Sequence, residues 1–112
     1  NKMTHRVLNN QIKKGLHKIS NIKNIFFAYE PVWSIGTGII PRVNELDKQI
    51  REIKKIIKKN YKDKNPKILY GGSVNSQNIV TLKKIGSIKG FLIGGASLNS
   101  KNFIDIIKKT IN

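Results

Sequence analysis

Three places in this sequence combine residue types that could do chemistry, and each follows a short apolar run. Glu30 comes directly after one run, and the pairs Gly71-Gly72 and Gly94-Gly95 end two others, the first continuing into Ser73. A partly desolvated carboxylate is a better general base near neutral pH. Glycine lets the backbone approach an anion closely, and a following helix adds free N–H groups. We therefore expect a base at Glu30 and a phosphate site at the glycine pairs.

Each of these residues also has a plain structural interpretation. Glu30 could cap a neighbouring group or pair with a lysine, and a glycine pair often only ends a strand. The flexible segment Ser34–Gly38, which follows the candidate base, could be a lid or an ordinary exposed loop. His5 and His17 have no second His or acid at ligand spacing, so we expect both at the surface and no metal site.

The elements that must position these residues alternate along the chain. Helical spacing covers Thr4–Lys18, and Asn44 is the expected N-cap of a second helix with an apolar stripe from Leu46 to Ile57. Ile25–Tyr29 has the pattern of a strand buried on both faces. The further expected elements are a strand at Lys67–Tyr70, a helix at Ser76–Lys84, a strand at Phe91–Ile93 and a last helix containing Phe103, Ile104, Ile107 and Ile111.

This alternation predicts an α/β fold with parallel strands covered by helices. In such sheets functional groups gather at the carboxyl ends of the strands, which is where the glutamate and the glycine pairs stand. Three parallel strands leave two open edges. We therefore expect the chain to belong to a larger sheet or to borrow strands from a partner.

Composition limits the alternatives further. The 112 residues allow one small domain, and the absence of cysteine excludes disulfides and thiolate chemistry. No apolar run is long enough for a membrane span, and the first residues lack a signal-peptide core. The net charge of +16 could indicate a nucleic-acid binder, but the lysines stand in pairs on helical stretches, which favours solvated faces. Because the chain does not begin with Met, we expect a piece of a longer protein.

Three segments together resemble the triosephosphate isomerase family. They are Ala28–Gly38 (AYEPVWSIGTG), Tyr70–Asn75 (YGGSVN) and Gly90–Leu98 (GFLIGGASL). The resemblance implies a (β/α)₈ TIM barrel of about 250 residues, of which residues 1–112 are a partial, C-terminal domain with strands six to eight. One departure is Ile39-Ile40-Pro41, where the family commonly has Lys-Thr after the Gly-Thr-Gly tip.

The resemblance also implies roles for individual residues. Glu30 would be the general base, Gly36, Ser73, Gly94 and Gly95 would bind the substrate phosphate, and Tyr70 would contact the closed lid. The lid itself would comprise Pro31, Val32, Trp33, Ser34, Ile35, Thr37 and Gly38. The family's lysine and asparagine near strand one, and its histidine after strand four, have no counterpart in this chain.

The implied activity is isomerisation of dihydroxyacetone phosphate and glyceraldehyde 3-phosphate through an enediolate, in glycolysis and gluconeogenesis. The family works without a cofactor or metal, in the cytoplasm and as a homodimer, and binds neither membranes nor specific nucleic acid. We expect this chain alone to be inactive, because it lacks the histidine and a closed barrel.

Two other functions remain open on the sequence alone. The glycine-rich ends would also suit another phosphate-binding barrel enzyme, although the string Glu30-Pro31-Val32-Trp33 argues against it. The charge would also suit a binding module for nucleic acid, or an enzyme remnant with a new role.

Overall fold

The computed structural model describes residues 2–31, 34, 36–62 and 65–112. Three residues of the expected lid, Val32, Trp33 and Ile35, therefore lie outside the described residues. The elements in chain order are α1 (Lys2–Gly15), β1 (Phe26–Tyr29), α2 (Val43–Tyr61), β2 (Lys67–Tyr70), α3 (Ile79–Leu82), β3 (Gly90–Phe91), a 3₁₀ helix (Gly95–Leu98) and α4 (Ser100–Ile111). The predicted order of one helix followed by three strand–helix units is confirmed.

The strands form one parallel sheet in the order β1-β2-β3. Tyr29 pairs with Tyr70, which in turn pairs with Phe91 at the carboxyl end of the sheet. The Leu92 N–H donates to the Tyr70 carbonyl at 2.9 Å, so pairing continues one residue past β3. The three loops that carry the candidate site residues therefore begin at the same end of the sheet, the carboxyl end of its strands.

Helix α2 supplies much of the core that supports this sheet. Its apolar residues recur every three or four positions, and all five members of the predicted stripe are buried: Leu46, Ile50, Ile53, Ile56 and Ile57. Burial of each such side chain contributes about 1.5–3 kcal/mol to folding. Ile68 of β2 and Ile79 and Leu82 of α3 are fully buried in the same cluster. The predicted stripe is confirmed.

Strand β1 differs from its prediction as a strand buried on both faces. Phe26 is 56% exposed, Ala28 is exposed, and Phe27 and Tyr29 are only half-buried. The reason is topological: β1 is an edge strand, and among the described residues only β2 pairs with it. The prediction of burial on both faces is therefore wrong for the sheet that the described residues form.

Several element boundaries also differ from their predictions. Helix α1 covers Lys2–Gly15 rather than Thr4–Lys18, and β3 covers Gly90–Phe91 rather than Phe91–Ile93. Helix α2 begins at Val43 after Arg42, which has no side-chain capping bond, so the expectation of Asn44 as N-cap was wrong. Helix α3 is four residues long rather than the nine predicted. Tighter bonds between residues three apart flank α3, from the Thr81 N–H to the Asn78 carbonyl and from the Lys84 N–H to the Thr81 carbonyl, so regular α-helical bonding covers only the short middle of the predicted helix. None of the helices in the described part of the chain could cross a membrane.

Candidate active site

Glu30 stands at the carboxyl end of β1, where its side chain lies against Gly71 of the next loop. A Cβ atom added at Gly71 would lie 2.6 Å from Glu30 Cγ and 2.9 Å from Oε1. The Gly71 N–H also donates to the Tyr29 carbonyl at 2.9 Å, which holds the two loops together. Glycine is thus required at position 71 for the carboxylate to occupy its place. Glu30 is solvent-exposed in this chain, in contrast to the predicted partial desolvation.

The part of the expected lid that the structure describes is a compact turn. The Ser34 hydroxyl and N–H both donate to the Pro31 carbonyl, at 3.1 and 2.9 Å. Thr37 Oγ1 donates to the Ser34 carbonyl at 3.1 Å. Gly36 and Gly38 have φ values of +69° and +75°, which side chains with a Cβ rarely adopt. The two glycines therefore allow the chain to turn back toward the sheet.

This turn is bound to the loop that follows β2. The Gly38 N–H donates to Ser73 Oγ at 2.9 Å, and the Ser34 and Tyr70 hydroxyls lie 3.4 Å apart. Tyr70 is fully buried, and burial raises its pKa, so its hydroxyl keeps its proton at neutral pH. A Cβ at Gly72 would overlap the Tyr70 hydroxyl and approach Ser34 Oγ to 2.5 Å. Ser34, Gly38, Tyr70 and Ser73 are thus brought together.

Two asparagines that sequence analysis did not single out hold the Ser73 loop in place. Asn78 Nδ2 donates to the Ser73 carbonyl at 2.6 Å. Asn78 Oδ1 accepts from the Asn75 N–H, and Asn75 Oδ1 accepts from the Asn78 N–H, both at 2.8 Å. The spacing N-x-x-N just before a helical pattern was a usable signal, because asparagine side chains readily bond nearby backbone groups.

Gln49 is a third residue that sequence analysis missed. The Tyr29 hydroxyl donates to Gln49 Oε1 at 2.8 Å, which ties the residue before Glu30 to the middle of α2. Burial, and to a smaller extent the nearby Tyr70, raises the pKa of Tyr29, so it too remains a donor. The two residues are 20 positions apart on different elements, and no local sequence pattern indicates such a contact.

Gly94 and Gly95 lie at the start of the 3₁₀ helix. The Ser97 hydroxyl donates to the Gly94 carbonyl at 2.6 Å, which closes a tight turn there. Among the described residues, no hydrogen bond joins this turn to Ser73 or to the segment Gly36–Gly38. The structure therefore links the first two candidate loops directly and leaves the third connected to them through the sheet.

The remaining candidate ligands do not form a metal centre in the described part of the chain. No group of three or more His, Cys, Asp or Glu side chains lies at ligand distance there. His5 is instead engaged with α2, where its Nδ1 lies 2.6 Å from Glu52 Oε1. His17 is exposed, in agreement with its predicted surface position.

Comparison with known proteins agrees with the resemblance of the three motifs. The family model described as triosephosphate isomerase matches residues 1–110. The triosephosphate isomerase of Borrelia garinii subsp. bavariensis is 47% identical over 111 residues, which cover 94% of this chain and 44% of that protein. The enzyme of Borreliella burgdorferi is 46% identical, with coverages of 96% and 45%, and that of Amoebophilus asiaticus is 43% identical, with coverages of 88% and 41%. The chain thus spans less than half the length of these relatives, and it belongs to the triosephosphate isomerase family.

Proposed function

We propose that the protein containing this chain is a triosephosphate isomerase, which interconverts dihydroxyacetone phosphate and D-glyceraldehyde 3-phosphate. Family membership supports the reaction. The observation that carries the assignment of the site is the position of Glu30 at the carboxyl end of β1, against Gly71 and beside a turn held by Ser73. Active sites of parallel barrels form at that end of the strands.

Glu30 acts in this proposal as the general base. Its carboxylate removes a proton from the carbon next to the substrate carbonyl, and the C–H electron pair forms the enediolate double bond. The protonated Glu30 then returns the proton to the neighbouring carbon while the hydroxyl proton passes from one enediolate oxygen to the other, so no atom is gained or lost. Its exposure in this chain leaves the carboxylate accessible to a substrate. The electrophilic histidine that the family uses would come from outside these 112 residues.

The phosphate of the substrate would be bound by Gly36, Ser73, Gly94 and Gly95. Ser73 Oγ accepts a hydrogen bond from the Gly38 N–H, so its own proton can be donated to a phosphate oxygen. The backbone N–H groups of the three glycines would supply the other donors, as in other anion sites built on glycine-rich loops. Closure of the segment Pro31–Gly38, with Tyr70 as its contact, would exclude water from the enediolate.

The chain is proposed to be the C-terminal part of a (β/α)₈ barrel, with β1, β2 and β3 as strands six to eight. Two apolar grooves of about 470 Å³ each support this, one along β1 beside Ile25 and Phe27, the other along β3 between Phe91 and α4. Apolar side chains of α4 that would face a neighbour remain exposed, namely Phe103, Ile104, Ile107 and Ile111. The whole enzyme is proposed to be a cytoplasmic homodimer, as implied by its family.

Substitution of Glu30 by Gln in the full-length protein tests the proposal. Loss of a general base should lower kcat by about 10²–10⁴-fold, with little change in KM. Glu45→Gln is the matched control, because Glu45 is exposed in the first turn of α2 and lines a cavity with Lys2, His5 and Lys48 rather than with the candidate site residues. Isomerase activity in E30Q within a few-fold of the unaltered protein would exclude Glu30 as the base. Absence of isomerase activity from the unaltered full-length protein would refute the function itself.

A further inference from the structure

Five cations meet at the end of the sheet opposite the candidate active site. Arg51, Lys54, Lys55 and Lys58 of α2 line one side of a cavity of about 330 Å³. The other side is formed by Asn65, just before β2, and by Gly86 and Ser87, just before β3. Lys89 lies just before β3, outside the lining of this cavity, and its charge repels that of Lys54. We call the cavity lined by Arg51, Lys54, Lys55, Lys58, Asn65, Gly86 and Ser87 the basic pocket.

The basic pocket concentrates positive charge that the described residues near it neutralise only in part. Asp47 is the carboxylate that attracts the Lys54 ammonium, and both Asp47 oxygens already accept hydrogen bonds from other residues. Asp47 Oδ2 accepts from Arg51 Nε at 2.8 Å, and Oδ1 accepts from the buried Ser87 hydroxyl. Burial is the main reason that the pKa of Lys54 is lowered, and repulsion from Lys58 and Arg51 lowers it further, so like charges are crowded around Lys54. An anion in the pocket would relieve that crowding.

The shape of the pocket indicates the class of anion. The cations recur at helical spacing along one face of α2, and at 1.5 Å rise per residue Arg51 and Lys58 are separated by about 10 Å along the axis. An anion with several phosphoryl groups can contact more of these cations at once than a single phosphate can, because the four positive side chains are spread along the helix. No aromatic side chain is among the residues that line the pocket, so it lacks the stacking surface typical of single-stranded nucleic-acid sites.

We propose that the basic pocket binds a small anion with several linked phosphoryl groups, such as a short-chain polyphosphate. The guanidinium of Arg51 is held in position by Asp47, and the lysine ammonium groups are free to follow the anion along the helix. This site is separate from the proposed triose phosphate site, because Asn65 and Ser87 precede their strands whereas Ser73 and Gly94 follow theirs. It therefore does not depend on the proposed isomerase function.

Calorimetric titration of the full-length protein with sodium tripolyphosphate tests the proposal, at about 0.15 M ionic strength so that diffuse charge effects are screened. The variant K54Q/K58Q removes two cations from the pocket. The matched control K13Q/K14Q removes two exposed cations from the last turn of α1 and changes the net charge equally. We expect about a tenfold loss of affinity in the first variant, equivalent to about 1.4 kcal/mol, and less than about a twofold loss in the control.

Three results would overturn the proposal. Equal losses in the two variants would mean that net charge alone attracts the anion. Absence of tripolyphosphate binding by the unaltered protein would exclude the site. Tighter binding of duplex DNA than of tripolyphosphate, dependent on the same lysines, would assign the pocket to nucleic acid. If K54Q/K58Q fails to fold, K55Q supplies the test, because Lys55 lines the pocket and is exposed, and an affinity equal to that of the unaltered protein would count against the pocket.

Discussion

A methyl group added at Gly71 should impair catalysis much more than stability. In Gly71→Ala the new Cβ would lie 2.6 Å from Glu30 Cγ, whereas ordinary contact begins at 3.4 Å. The atoms that must give way belong to a flexible side chain, so Glu30 moves by roughly 1 Å and the backbone stays in place. A displacement of that size at a reacting group can cost about 100-fold in rate. This corresponds to about 2.7 kcal/mol of transition-state stabilisation.

Stability should change little in the same variant. Replacement of glycine by alanine reduces the entropy of the unfolded chain and stabilises by about 0.4–1 kcal/mol where the backbone permits a Cβ. That gain would offset the cost of moving the Glu30 side chain. We therefore expect the free energy of unfolding, measured by urea titration, to stay within about 1 kcal/mol of the unaltered value.

Steady-state isomerase kinetics of the full-length protein separate these effects. The control is Gly15→Ala, since a Cβ at Gly15 meets nothing within 4 Å. A double-mutant cycle with Glu30→Gln then asks whether Gly71 acts through the carboxylate. If it does, G71A costs almost nothing further in the E30Q background. A full additional 100-fold loss in that background, or a kcat in G71A within about threefold of the unaltered enzyme, would refute the reasoning.

Three further results are expected. Tyr29→Phe removes the donor to Gln49 Oε1 and should lower the free energy of unfolding by about 1 kcal/mol, measured by urea titration; no change would mean that water replaces the bond. Asp47→Asn should lower the free energy of unfolding at pH 7 and lower it progressively less below pH 3.8. Bonds from Ser87 and Arg51 lower the pKa of Asp47, so the stabilisation that its carboxylate gives the native state is lost as pH falls through that lowered value. A difference in unfolding free energy between the two proteins that does not change with pH would contradict this. The purified 112-residue chain should show no isomerase turnover, and turnover that Glu30→Gln abolishes would disprove this.

Sequence patterns predicted the elements well where burial repeats along one element. The predictions of the α2 stripe and of the strand Lys67–Tyr70 are correct, because the spacing of apolar residues along a helix or a strand indicates which face packs against the core. The same reasoning failed at α3, where the backbone on both sides forms tighter bonds between residues three apart, which periodicity of apolar residues does not distinguish from an α-helix. It also failed at β1, whose apolar run predicts a second neighbour that the described residues do not include.

The candidate site was only partly accessible from sequence. Motif spacing placed Glu30, Ser73 and the glycine pairs at strand ends, because parallel strands bring their carboxyl ends to one edge. The contact between Tyr29 and Gln49, and the closeness of Gly71 to Glu30, depend on how α2 and the loops pack in three dimensions. No local sequence pattern indicates that these side chains lie close together.

The exposed edge of β1 has a consequence for how this chain behaves at high concentration. Unpaired N–H and C=O groups at a sheet edge can template pairing with the same edge of another molecule, and exposed apolar residues such as Phe26 would strengthen that pairing. Lys67 opposes a different contact, the stacking of a second sheet over the Phe26 ring, because its ammonium lies over that ring, 5.2 Å from the ring centre. Covering that face would strip water from the ammonium. Together with the mutual repulsion of chains that each carry a net charge of +16, this burial cost works against amyloid-type stacking and favours colloidal stability.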